Sequence, residues 1–139
     1  MRVMALDVGE RRVGIAISDP SGTVARPMQT LVRNSREQDF AAIAALVAEH
    51  DVELVVVGRP LSLDGTEGPQ ARRIARYAEA LAAHLSVELV SWDERFTTIA
   101  AEEIIRQRRS KKGRRRARAT GEVDAVAAAV VLQSYLDSR

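Results

Sequence analysis

Val3-Met-Ala-Leu-Asp-Val-Gly-Glu-Arg-Arg-Val-Gly-Ile-Ala-Ile-Ser18 is the stretch on which the architecture turns. Two short apolar runs, 3–6 and 13–18, flank Gly9-Glu10-Arg11-Arg12, and this spacing predicts the two strands of a hairpin. A third extended stretch, 23–31, follows the turn Asp19-Pro20-Ser21-Gly22, and Pro27 confines it to a sheet edge or a bulge. Ser35 with Gln38 forms a capping-box start for a helix to about Glu49, with Phe40, Ile43, Ala44, Leu46 and Val47 on its buried side.

Residues 53–57, Glu-Leu-Val-Val-Val, are apolar on both faces, as a central parallel strand requires. A polar loop, 58–68, leads into a helix from about Pro69 with Ile74, Ala78, Leu81 and Leu85 on one face. Residues 87–92 read as the next strand, ended by Asp93-Glu94-Arg95. Thr97 or Thr98 can cap a helix running to about Arg106, and residues 121–136 form a last helix with an Ala/Val-rich face. The resulting order, β-β-β-α-β-α-β-α-α, implies an α/β fold with a mixed five-stranded sheet. Three antiparallel strands are followed by parallel ones, and helices flank the sheet. Ligands of such sheets bind beyond the carboxyl ends of the parallel strands.

The 139 residues suit one domain spanning 1–139, and 46% hydrophobic with 29% charged residues is ordinary globular usage. With no cysteine there is no disulfide framework, no Cys-ligated metal and no thiol nucleophile. Asp7 interrupts the first apolar run too early for a signal peptide, and the longest apolar run, 125–132, is far short of a bilayer span. A cytoplasmic protein with no membrane partner is the expectation.

The net charge of +2 conceals a segregation. Nine basic and no acidic residues lie between Arg106 and Arg118; taking those nine from 21 leaves 12 basic against 19 acidic residues, a net −7. An acidic body with one basic segment, expected to be mobile over 106–120, points to a polyanionic partner.

Acidic residues mark three elements that this topology gathers at one end. Asp7 stands at the end of the first strand, Asp93 and Glu94 at the end of the last, and Asp124 in the first turn of the closing helix. Each has a plain structural alternative, as turn residue (Asp7) or helix-terminus partner (Asp93, Glu94, Asp124). Carboxylates in apolar company are costly unless paired or bound to a cation. An all-oxygen donor set favours Mg²⁺ or Mn²⁺. His50 and His84, both in late helical turns, suit dipole or solvent roles better than catalysis.

Ala5-Leu-Asp-Val-Gly-Glu-Arg-Arg-Val-Gly-Ile-Ala-Ile-Ser-Asp19 resembles the opening motif of the YqgF/RuvX family, described as pre-16S rRNA nucleases and Holliday junction resolvases. Gly58-Arg-Pro-Leu-Ser-Leu-Asp-Gly-Thr-Glu-Gly68, Asp93-Glu-Arg-Phe-Thr-Thr98, Val123-Asp-Ala-Val-Ala-Ala128 and Leu132-Gln-Ser-Tyr-Leu-Asp137 resemble its later motifs, in order. Departures are Arg59, where an apolar residue is more usual, and an Arg-heavy basic segment interrupted by Gly113.

The resemblance implies an RNase H-like fold and a hydrolase of phosphodiester bonds. Its substrate would be structured nucleic acid, with processing of the 5′ end of pre-16S rRNA as the leading role and Holliday junction resolution as another. It assigns catalytic and metal-binding roles to Asp7, Glu94 and Asp124, with Asp93 as the alternative to Glu94. In that reading two divalent ions, roughly 3.5–4 Å apart, activate water and stabilise the leaving oxygen.

Arg11, Arg95, Arg108, Arg109, Lys111, Lys112, Arg114, Arg115, Arg116 and Arg118 would contact the phosphate backbone of an rRNA precursor or branched DNA, with strong salt dependence. Asp64 and Thr66 would support the site from the loop, whose simpler reading is a turn. Aromatic residues at 4% leave little for base stacking. A monomer and a homodimer are equally open. The main rival is a non-catalytic nucleic-acid-binding factor in transcription or ribosome assembly, which needs the basic segment but not the acids. A weaker rival is an actin-like or sugar-kinase-like ATPase, whose first phosphate loop residues 7–14 resemble; that fold needs two such domains.

Overall fold

A computed structural model describes residues 1–62, 64–94 and 122–139. Its elements are β1 (Val3–Val8), β2 (Arg12–Ser18), β3 (Ala25–Val32), α1 (Arg36–Glu49), β4 (Leu54–Arg59), α2 (Pro69–Ala82), β5 (Glu88–Asp93) and α3 (Glu122–Asp137). The expected helix from Thr97 or Thr98 to Arg106 and the basic segment 106–120 lie outside the described residues.

The five strands form one sheet in the order β3-β2-β1-β4-β5. β1–β2 and β2–β3 are antiparallel, while β1–β4 and β4–β5 are parallel. The mixed sheet read from the sequence is therefore present. β1 lies in the middle, which is why its residues are apolar on both faces. Pro27 sits where the β2–β3 register shifts: Ile15 pairs with Gln29 and Ala16 with Pro27, leaving Met28 as the extra residue of a bulge on the edge strand.

Two apolar layers sandwich the sheet. Met4, Leu6, Val8, Val13, Ile15, Ile17, Val55 and Val57 face α1 and α2, whose Phe40, Ile43, Val47, Ile74, Tyr77 and Leu81 complete that core. Ala44 and Leu46 are less buried than their spacing predicts, and Asp39 is buried instead, its Oδ1 accepting from the Asn34 amide at 3.0 Å. Ser35 caps α1 as expected, accepting from the Gln38 amide at 3.1 Å. On the opposite face Val3, Ala5, Ala16, Leu54 and Val56 pack against Ala128, Ala129, Val131, Leu132 and Leu136 of α3. The alanines on both sides of this seam let the helix lie close to the sheet.

α3 is also held at both sheet edges. Gln133 accepts from the Ala25 amide of β3 at 2.9 Å through Oε1 and donates through Nε2 to the Thr23 carbonyl at 3.1 Å. At the other edge, Trp92 of β5 donates from Nε1 to Ser134 Oγ at 3.1 Å, and its ring meets Tyr135 edge-on with centroids 5.6 Å apart. The ending Leu132-Gln-Ser-Tyr thus carries the helix clamps. Trp92→Phe removes one of them and is expected to cost about 1–2 kcal/mol in urea unfolding, with an unchanged fold by circular dichroism. A loss below a few tenths of a kcal/mol would show that the β5 clamp carries no stability.

Candidate active site

Asp7 is the fifth residue of β1 and points to the α3 side, as alternation from Val3 and Ala5 requires. Its β2 partner is Gly14, and Gly58 stands one position beyond the last β1–β4 pair, Leu6–Val57. Asp7 is therefore flanked by a glycine on each neighbouring strand, and each glycine admits an acid. A Cβ at Gly14 would run into the Asp124 carbonyl, so the first turn of α3 rests directly on β2. A Cβ at Gly58 would lie 2.5 Å from Glu94 Oε1, so the Glu94 side chain occupies the space that glycine leaves.

These approaches bring the three acids to the common carboxyl end of β1, β4 and β5. Asp7 and Glu94 hydrogen-bond each other through their carboxyls. Burial, opposed by that hydrogen bond and reinforced by the charge of Asp124, raises the Asp7 carboxyl above its ordinary value. Glu94 is pushed up to about 7, by burial first and then by the charges of Asp7 and Asp93. The pair holds a proton between two oxygens that like charge would otherwise force apart. Of the two acids ending β5, Glu94 is the one that hydrogen-bonds Asp7, and the charge of Asp93 adds to the rise of Glu94.

Arg12 Nε lies 3.9 Å from Asp124 Oδ2, with the two side chains 45% and 36% exposed. Among the described residues no group of three acids or histidines is drawn together closely enough to hold an ion as it stands. The donors themselves suit a hard divalent cation. They are carboxylate oxygens, two of them buried and repelling, with no thiolate and no imidazole beside them. His50 caps the far end of α1, and His84 lies just beyond α2 with Nδ1 3.1 Å from the Ala80 carbonyl.

Asp64 and Thr66 engage each other: Asp64 Oδ1 accepts from the Thr66 amide at 3.0 Å and from its hydroxyl at 2.7 Å, around Gly65 at φ +86°. The loop is a self-closed turn. Arg11 is exposed in the β1–β2 turn. Arg95, Arg108, Arg109, Lys111, Lys112, Arg114, Arg115, Arg116 and Arg118 lie outside the described residues. Sequence reasoning missed Arg12, Gly14 and Gly58; an isolated glycine inside each apolar strand was the available signal for the last two.

The proton shared by the pair has a measurable consequence. Between the ordinary glutamate value of 4.5 and about 7, the folded chain retains a proton that the unfolded chain has released. Stability without added metal is therefore expected to fall as pH rises through that window, by the order of 2 kcal/mol after allowance for partial exposure. Glu94→Gln should flatten the fall; denaturant midpoints that stay level in the wild type from pH 4.5 to 7.5 would contradict the paired carboxyls.

A family model described as "RuvX: Holliday junction resolvase" matches residues 1–138. A protein of Syntrophus aciditrophicus is 44% identical over 138 residues, covering 99% of this chain and 89% of its own. One of Chloroflexus aggregans is 45% identical over 137 residues, covering 99% and 94%. Both carry the name "Putative pre-16S rRNA nuclease". Among solved structures, Thermus thermophilus RuvC in complex with a Holliday junction substrate superposes with a TM-score of 0.63 at 14% identity, covering 100% of this chain and 96% of that one. The fowlpox virus Holliday junction resolvase gives 0.56 at 11% identity, with both chains fully covered. The sheet order and these likenesses are those of the RNase H-like fold, and the chain belongs to the RuvX family, a family of nucleases that hydrolyse phosphodiester bonds.

Proposed function

We propose that this chain is a divalent-metal-dependent nuclease acting on structured nucleic acid, and that its principal task is processing the 5′ end of pre-16S rRNA. The observation that carries the reading is the buried Asp7–Glu94 carboxyl pair at the strand ends, with the charge of Asp124 bearing on it. The names of the relatives support the rRNA substrate, and the family description keeps branched DNA as a second one.

Asp7, Glu94 and Asp124 would hold Mg²⁺ or Mn²⁺, most simply as a two-ion site. Such ions, when bound, acidify water and neutralise charge on the scissile phosphate. The chain's own residues do the rest. Asp7 and Glu94 hold a shared proton that a bound cation would have to displace, so cation affinity would rise with pH toward about 7. Arg12 orients Asp124 and offers its exposed guanidinium to a phosphate oxygen. Arg11, Arg95 and the basic residues from Arg108 to Arg118 would follow the backbone.

The test incubates a precursor rRNA and a four-way DNA junction with Mg²⁺ or Mn²⁺. Wild type is compared with Asp7→Asn, Glu94→Gln and Asp124→Asn. Wild type is expected to cut the precursor near its 5′ end and each variant to lose that cut. Cleavage of the junction alone would replace the rRNA role by the second one. Binding without any cleavage would favour a non-catalytic nucleic-acid-binding factor.

A further inference from the structure

Asp7 and Val8 are adjacent in β1 and point to opposite faces of the sheet. Behind Val8, away from the acids, a cavity of about 540 Å³ opens between the β1–β2 turn and the first turns of α1 and α2. Arg33, Arg36, Arg73 and Arg76 line it, against the carboxylate of Glu10 in the lining and that of buried Asp39, whose charge reaches Tyr77. Among the described residues none of these four guanidiniums takes part in an ion pair. Four cations against two acids leave a positive excess around one concavity, which favours an anion.

Tyr77 also lines the cavity. Its residue is 2% exposed, and its hydroxyl is buried without a hydrogen-bond partner. Burial first, and then the charge of Asp39, push Tyr77 up to about 12, so its ring stays neutral beneath Arg33. Arg33 is already set in place: its Nη1 donates to the Gly9 carbonyl at 2.7 Å and its guanidinium lies 4.8 Å over the Tyr77 ring. α2 begins at Gly68-Pro69 without a side-chain cap, so its N-terminal amides add positive potential on the same side.

We propose that this cavity binds a phosphate-bearing ligand, with Arg33, Arg36, Arg73 and Arg76 taking the phosphoryl oxygens and the Tyr77 ring holding Arg33 in place beneath them. Guanidinium forks match phosphate geometry, and the volume admits a group the size of a mononucleotide. The phosphate has two possible sources: a free nucleotide, or a nucleic-acid strand crossing the end of β1 on its way to Asp7. The proposal goes beyond the nuclease reading and does not require cleavage.

Titration calorimetry with pyrophosphate and with adenosine diphosphate, in buffer containing a chelator, reads the site without catalysis. Arg73 and Arg76 are exposed on α2, so Arg73→Ala/Arg76→Ala leaves the core intact. It is expected to weaken both probes about tenfold or more, with Arg73→Lys/Arg76→Lys recovering part of the loss. Arg26→Ala, on β3, should change nothing. Anisotropy of a labelled single-stranded RNA then separates the sources. Loss of RNA affinity in the double alanine variant, with displacement of RNA by diphosphate, assigns a strand phosphate; unchanged RNA affinity assigns a free nucleotide. The proposal is overturned if the double alanine variant binds both probes as wild type does, or if Arg26→Ala matches its effect.

Discussion

Asp7→Asn is expected to lower metal-dependent cleavage about 10³-fold while leaving the fold more stable, not less, at pH 7.5. The loss follows from removing the central acid of three, which equates to about 4 kcal/mol of lost transition-state stabilisation. The gain follows from burial. At neutral pH the Asp7–Glu94 pair keeps a proton only against solvent demand, whereas an asparagine amide donates to Glu94 without one. Glu94 should then fall partway toward 4.5, burial still holding it up, and the decline of stability between pH 4.5 and 7 should become shallower. Activity within tenfold of wild type, or a lower unfolding midpoint at pH 7.5, would remove Asp7 from the centre of the site.

Gly14→Ala is expected to be among the most damaging single methyl groups that this chain could receive. The added carbon collides with the Asp124 carbonyl, which is backbone at the start of a helix and cannot swing away. Either α3 lifts from β2, opening the alanine seam, or β2 bends out of register with β1. Overpacking of this kind costs about 3 kcal/mol, or roughly 10 °C in Tm for a chain of this size. Gly58→Ala supplies the contrast. Its new carbon meets the end of the Glu94 side chain at 2.5 Å, and that side chain can rotate. Stability should change by less than about 1 kcal/mol, while cleavage drops because Glu94 is turned from Asp7. Comparable unfolding midpoints for the two variants would mean that α3 is not seated on Gly14.

The sheet was readable from the chain because each strand advertises its place. The β1 and β4 runs are apolar on both faces, Pro27 confines β3 to an edge, and Ser35 starts α1 where its hydroxyl meets the Gln38 amide. The acids stood out for the same reason, as charges embedded in apolar runs. What spacing could not convey was contact across the sheet. Whether Asp93 or Glu94 turns toward Asp7 depends on how β5 ends and on the space left by Gly58, and neither is encoded within Asp93-Glu94 itself. The arginine cavity was hidden for a similar reason. Arg33, Arg36, Arg73 and Arg76 are scattered over two helices and a strand exit, and only the packing of α1 and α2 on one sheet face unites them.

The seating of α3 on Gly14 also orders events in time. Asp7 lies in β1, synthesised before the other described elements, and Asp124 in α3, synthesised after them. The acid that completes the trio arrives only when residues 122–137 cover the Ala5–Ala16 face and both edge clamps close. A chain interrupted before that point has its strands but lacks Asp124 and exposes an apolar sheet face, which favours aggregation. In the proposed reading, the helix that closes this sheet face is also what completes the site, and a copy lacking it would not cut.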